Sequence, residues 1–408
     1  MMKRIFLLLL PLLLVACSDD ENFSTSQSDL LTLPADGLRM DTVFCGEGSS
    51  TYSFWLYNRN SKALRISDVR LANGSMGFRV NVDGEYLNPA IGQVEVLGND
   101  SLQVFVEFTP QPTGLLEPQE VNDQLVFTLE SGAQQALPLK SWAWEAERWD
   151  NKHITSDTYV ESDRPILVRG IVTIDAGATL TLERTQLYFH ENAGVDVKGT
   201  LVADQCLFRG DRLDRMFSYL PYDRISGLWR GLRLYTDAVC QFTDTQLRNA
   251  ETAIQCDEGS QLNMTRSIVH NSEQTGITAV KAQLTLDHCR LSNAEGPLLE
   301  VDGGSTKLIY CTLAQYYPFA LRDVALRFSE ESQLLASHVL LAAYGDLLLD
   351  ENYVIDWEQD VCEFADGNIV FDRCKMATKE DFLLIDEDNL DYDFHLSETS
   401  EIEDAGCY

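Results

Sequence analysis

Within residues 211–229 the chain sets Asp211, Asp214 and Asp223 among Arg212, Arg215 and Arg224, beside Tyr219, Tyr222 and Trp229. That mixture suits a carbohydrate, because aromatic faces stack on sugar rings while guanidinium and carboxylate groups hydrogen-bond hydroxyls or an acidic sugar. Two of the aspartates could also act as general acid and base in glycoside hydrolysis. The competing expectation is a loop that covers its scaffold, pairs its own charges and buries its aromatics. The spacing alone designates no catalytic residue.

Other chemistry is weakly signalled. The chain has no Cys-x-x-Cys and no His-Glu-x-x-His, and His153, His190, His270, His288, His338 and His395 are scattered without a partner at metal-ligand spacing. Asp386 to Asp393 is rich in acids, yet it lacks the glycine and the closing glutamate of an EF-hand loop. A solvated acidic turn is expected there, with neither metal nor cofactor.

The 211–229 segment interrupts a repeat, and the repeat determines what must position it. Asn249, Asn271 and Asn293 recur every 22 residues, and Gln315 continues the spacing. Two residues before each stand Leu247, Val269, Leu291 and Leu313; four before stand Thr245, Ser267, Cys289 and Cys311. In an extended chain these two columns share one face, while Arg248, His270, Ser292 and Ala314 point the other way. Short strands repeated at this interval fit coils stacked ~4.8 Å apart, a parallel β-helix. Thr185 precedes Cys206 by 21 residues, and Cys206 precedes Thr245 by 39, so one coil carries the insertion. Long loops inserted in a regular solenoid are where function is added. Leu335 and Ser337 keep the 22 spacing from Leu313 and Gln315. The asparagines are expected in the left-handed region, bonded to their equivalents above and below as an internal ladder, and the Thr/Ser/Cys column inside the core.

Segments such as Arg266 to Asn271 followed by Gly276-Ile277, and the opening stretches Gly170 to Leu182 and Val195 to Leu201, resemble the repeat of right-handed, pectin-lyase-like β-helix proteins. The resemblance covers about Ile154 to Leu349, and Phe394 to Gly406 resembles a terminal segment often found with it. It implies either a polysaccharide-binding surface or a lyase or hydrolase of the β-helix type. Hydrolases of that fold carry an Asn-Thr-Asp, a later Asp-Asp and a Gly-His-Gly on successive coils; here the only Asp-Asp is Asp19-Asp20.

Ahead of the repeat, from about Leu30 to Glu145, short alternating strands are separated by turn residues. Thr51 to Tyr57, Leu64 to Ile66, Val69 to Leu71, Phe78 to Val82, Ser101 to Phe108 and Gln124 to Leu129 are the clearest. Asn58 to Asn60, Leu64 to Ile66 and Val106 to Pro110 follow an order that resembles immunoglobulin-like domains, which implies a spacer or docking module. The whole chain is therefore expected to be all-β. An immunoglobulin-like sandwich over 30–148 is followed by a right-handed parallel β-helix over 149–408, closed by a C-terminal cap.

The first residues read as an export signal: Lys3 and Arg4, an apolar run from Ile5 to Val15, then Leu14-Val15-Ala16-Cys17. The run is too short for the ~20 residues of a membrane span. Leu14 to Cys17 resembles the bacterial lipobox, which implies cleavage after residue 16 and a lipid on Cys17 that tethers the protein to a membrane. Ser18-Asp19-Asp20-Glu21 resembles the surface-export signal of some Gram-negative outer-membrane lipoproteins, and Asn22 to Asp29 reads as a flexible spacer. Display at the cell exterior and contact with polysaccharide or another surface protein are expected. With 64 acidic against 31 basic residues and a net charge of -33, a general affinity for nucleic acid is excluded.

Besides Cys17 there are nine cysteines, an odd number that cannot pair completely within one chain. Cys289 and Cys311 occupy one column of neighbouring coils, at a spacing that suits either a disulfide or stacked buried thiols. A bridge among Cys362, Cys374 and Cys407 would pin a C-terminal cap.

Overall fold

The computed structural model describes residues 23–74, 76–318, 325–343, 361–366 and 368–407. The leader, the lipidation residue Cys17 and the acidic cluster after it lie outside the described residues. Regular structure among the described residues consists of strands and two short 3₁₀ turns, so the chain is all-β. No described helix is long and apolar enough to cross a membrane.

The N-terminal strands form two antiparallel sheets. One runs in the order Leu31–Thr32, Tyr52–Asn58, Ser101–Phe108, Phe78–Val82, Glu85–Tyr86; the other runs Leu38–Phe44, Gln134–Trp144, Gln119–Leu129, Leu64–Leu71, Ala90–Ile91. Alternation puts Phe54, Leu56, Val104 and Val106 of the first sheet, and Ile66, Val69, Leu125 and Phe127 of the second, in the buried core. Asn58 explains the Asn-x-Asn turn. Its buried amide donates to the carbonyls of Lys62, Val96 and Leu97, and its Oδ1 accepts the Asn60 N–H. The spacer expected over Asn22 to Asp29 is bound to the sandwich from Phe23 onward. Phe23 bridges Ala63 and lies under the Arg65 guanidinium, and Ser24 donates its N–H to Ala63 and its hydroxyl to Asp29.

The compact units do not follow chain order. Thr51–Glu107 and Asn122–Lys140 group with the residues up to Arg39, whereas Met40–Ser50, Phe108–Val121 and Ser141–Tyr408 form the second unit.

That second unit contains the β-helix. Each full coil has three strands: a first such as Thr179–Glu183, a second such as Gln186–Phe189 and a third such as Gly194–Val197. Equivalent strands of successive coils pair in parallel, Thr179–Glu183 with Thr200–Asp204 and Gly194–Val197 with Gly231–Leu234. The bend from first to second strand takes one residue in the left-handed region per coil: Arg184, Gln205, Asp244, Arg266, His288, Tyr310 and His338. Inward columns fill the bore, with Leu201, Cys240, Leu262 and Leu284 from first strands and Phe208, Leu247, Val269, Leu291 and Leu313 from second strands. The column Thr245, Ser267, Cys289, Cys311 is buried as expected, and its hydroxyls continue the stack. The Cys206 N–H donates to Thr245 Oγ1, and the Thr245 N–H to Ser267 Oγ.

One sequence expectation is corrected. Leu313 pairs with Leu341 and Gln315 with Ala343, 28 residues on, while Leu335 pairs with Lys307 and faces outward. The connection from Gln315 to Leu326 is longer than its counterpart from Asn293 to Leu299, which displaces the register. Gln333–Ser337 and Leu340–Ala343 both carry leucines among small residues, so the 22 spacing found a false match.

Candidate functional site

The insertion leaves the solenoid after Leu207–Gly210 and returns at Gly231–Leu234. Between them lie a small hairpin, Arg215–Phe217 with Leu220–Pro221, and a 3₁₀ turn, Tyr222–Arg224. Its charges have partners. Asp214 is 3% exposed; Arg212 reaches it with Nε at 2.9 Å and Nη2 at 2.8 Å, and the Ser50 N–H donates to it at 2.6 Å. Arg215 forks onto Asp41 at 2.6 and 2.9 Å, Asp41 and Ser50 both belonging to the solenoid's own unit. Asp211 meets His190 Nδ1 at 2.7 Å, and Arg224 binds Asp391 and the Asn389 carbonyl, each at 2.6 Å. Tyr222 lies beneath the Arg212 guanidinium.

Trp229, expected to stack on a sugar, is a core residue. It is fully buried, its ring lies 4.2 Å from Phe189, and its Nε1 donates to the Arg248 carbonyl at 2.7 Å. An indole needs an acceptor when buried, and the strand end supplies it. Tyr219 is 68% exposed and stacks on Phe217, itself 53% exposed, with Met216 beside them in sequence and also exposed. Phe217 and Met216 escaped the sequence reading because nothing local distinguishes a hairpin tip from a covered loop.

Asp223 belongs to a second grouping, on the outward face of the second strands. Along that face Leu167 pairs with Tyr188, Tyr188 with Arg209, Arg248 with His270, His270 with Ser292, and Ser292 with Ala314. The large apolar members Leu167 and Tyr188 pack with Phe44, Trp144 and Leu213. The small members Ala314 and Ala342 are covered by Phe382 and Phe394 of the C-terminal hairpin, Phe382–Asp386 with Asp391–Leu396. Between these covers the face is cationic. Asp223 accepts from Arg209 Nη1 at 2.8 Å and from Arg248 Nη1 at 3.3 Å. His270 contacts Tyr392 and Phe394 edge-on, and Arg290 lies over Phe394. The sequence exposed Arg248 and His270 as outward positions of the repeat; Arg209, Arg290, Tyr392 and Phe394 join them only through coil stacking and the return of the C-terminal hairpin.

Burial dominates the titration of these groups. It pushes the Asp211 carboxyl up despite His190. It drives His270 well below its ordinary 6.5, with Arg248 and Arg290 adding to the effect, so the ring is neutral at neutral pH. Burial also lowers Arg290.

Asn249, Asn271 and Asn293 are buried and left-handed, with φ of 65°, 61° and 54°. The amide-to-amide ladder is replaced by bonds to backbone. Asn249 Nδ2 donates to the carbonyls of Asp223 and Ile225, Asn293 Oδ1 accepts the Tyr316 N–H, and Gln315 joins the Ala294 N–H to the Gly296 carbonyl. Asn249 Oδ1 and Asn271 Nδ2 have no hydrogen-bond partner among the described residues. Asn249 thus ties the insertion to the coil. Cys289 and Cys311 are free buried thiols, as is Cys374, and Cys407 is free and half-buried. Around the acidic C-terminal turn, Asp386 caps Asn389, Asp391 pairs with Arg224, and Asp393 pairs with His395. No group of three or more His, Cys, Asp or Glu among the described residues is placed to hold a metal.

No family model matches the chain, and no curated protein matches it. Among solved structures it is similar to the ASH/PapD-like domain of human CEP192 (PapD-like domain 7), at 12% identity over 36% of this chain and 99% of that one, with a TM-score of 0.22. It is also similar to a family 123 glycoside hydrolase from Clostridium perfringens, described for glycolipid glycan hydrolysis, at 10% identity, 29% and 25% coverage, and a TM-score of 0.19. Similarity this distant assigns neither an activity nor a ligand.

Proposed function

We propose that the protein is a lipoprotein anchored through Cys17, displayed at the cell surface, whose pectin-lyase-like β-helix binds glycans. The single structural observation that supports binding is the hairpin tip. Arg212–Asp214 and Arg215–Asp41 hold its base, while Phe217 and Tyr219 remain exposed and stacked at the outer end. A held base with exposed rings is suited to sugar stacking at small entropic cost.

Retention of the full chain on a glycan array, reduced at least tenfold in Phe217→Ala/Tyr219→Ala with unchanged thermal stability, supports this reading; equal retention refutes the site. Labelling with radioactive palmitate should disappear in Cys17→Ser, and protease treatment of intact cells should degrade the protein. The alternative is a polysaccharide lyase or hydrolase. The observation favouring it is Asp211, whose raised carboxyl meets His190 beside a cleft of about 110 Å3 lined also by Glu47 and Asp214. New reducing ends or unsaturated uronates, lost in Asp211→Asn, would replace binding by catalysis.

A further inference from the structure

The arginines near the outward face of the second strands have carboxylate partners, with one exception. Arg209 and Arg248 share Asp223, Arg212 holds Asp214, and Arg224 holds Asp391. Arg290 forms no ion pair and no side-chain hydrogen bond among the described residues, and its Nε is buried without an acceptor. The Nε of Arg248 is likewise buried and unpaired. Asp393 acts on Arg290 electrostatically but forms no ion pair with it, its Oδ1 being engaged with His395 Nδ1 at 2.5 Å. In a chain of net charge -33, a mostly buried cation with no carboxylate in direct contact is unusual, since a buried charge without a hydrogen-bonded partner is destabilising. Something else must complete it.

We propose that Arg290, with Arg248 and His270 from the two preceding coils, forms a binding site for a small oxyanion bearing sulfate, phosphate or carboxylate oxygens. The geometry recommends this class. The Nε edge of a guanidinium presents two parallel N–H groups, which match two oxygens of one oxyanion. Arg290 begins the strand Arg290–Ala294, where its backbone pairs with Ile268, two residues before His270, so the His270 ring faces the same side of the sheet. Neutral His270, bonded to Ser292 Oγ through Nδ1 at 2.9 Å, offers polarity without a competing charge. Phe394, 5.4 Å from the Arg290 guanidinium carbon, forms one wall, and Tyr392 stacks beside it. Arg290, Arg248 and His270 each retain partial exposure, so the anion approaches from solvent, and the buried Nε edges of the two arginines must turn outward to meet it. This site is separate from the hairpin tip and does not depend on glycan binding.

Titrating the full chain with sodium sulfate, sodium phosphate and sodium acetate, each against sodium chloride at matched ionic strength, tests it. Calorimetry and thermal melting are read in parallel. At least one oxyanion should bind saturably and raise the melting temperature, whereas chloride should not. Preference for sulfate or phosphate marks a tetrahedral ligand, preference for acetate a carboxylate, and either supports the site. Arg290→Met should weaken that binding at least tenfold, Arg290→Lys should weaken it less by keeping charge without the fork, and Arg233→Met, in the strand Gly231–Leu234 where Arg233 pairs with Asp257, should leave it unchanged. A non-saturating response shared by all four salts overturns the proposal, as does wild-type affinity in Arg290→Met. Sulfate's general stabilisation of folded proteins is removed by comparison with that variant. Absence of glycan retention leaves this measurement intact, so the two readings fail separately.

Discussion

Trp229→Ala separates a core anchor from a ligand contact. The indole is completely buried against Phe189, and its Nε1 satisfies the Arg248 carbonyl at 2.7 Å. Truncating a buried tryptophan costs about 3–5 kcal/mol in lost transfer energy and cavity. The abandoned carbonyl adds about 1 kcal/mol, so a loss near the top of that range, roughly 5 kcal/mol, is expected. Trp229→Phe keeps a stacked ring and loses mainly the hydrogen bond, for about 1–2 kcal/mol. Urea unfolding followed by circular dichroism provides the assay. With a slope of about 2–3 kcal/mol per molar, the alanine variant should unfold roughly 2 M earlier than wild type, and the phenylalanine variant roughly 0.3–1 M earlier. A loss below about 1 kcal/mol for Trp229→Ala, or equal damage from both variants, would refute the burial argument. Any weakening of glycan retention in Trp229→Ala should follow the fraction unfolded.

Two further outcomes follow from the same coils. His270 is held below its ordinary 6.5 by burial and two arginines. Unfolding then takes up a proton as the pH falls beneath 6.5, and wild type should lose up to about 1.4 kcal/mol per pH unit there relative to His270→Gln; parallel stability-pH curves for the two proteins would contradict this. Asn249→Gly and Asn271→Gly both preserve a left-handed backbone, but only the first releases the two carbonyls of Asp223 and Ile225. Thermal denaturation should show a loss of about 2 kcal/mol for Asn249→Gly and less than about 0.5 kcal/mol for Asn271→Gly. Equal losses would mean that the amide of Asn249 does not secure the insertion.

Much of the architecture is legible because a solenoid repeats its local constraint. Leu247, Val269, Leu291 and Leu313 had to face inward together, and the Thr/Ser/Cys column beside them had to follow. The same logic erred at Leu335, since composition resembles itself in any leucine-rich strand and a longer connection shifts register without altering that composition. In the insertion the residue types were visible and their directions were not. Trp229 and Tyr219 read alike as aromatics of one loop, yet one is wholly buried and the other two-thirds exposed.

By itself the sequence determined the class of fold, the interior columns, the place of the insertion and the acidic balance, because each depends on residue type and on spacing along the chain. The tertiary structure alone decided which charges neutralise one another. Asp223 meets Arg209 and Arg248 across coils, Arg224 meets Asp391 from far along the chain, and Arg290 forms no ion pair among the described residues. Electrostatic pairing depends on distance through space, and stacking brings residues tens of positions apart to within a few ångströms.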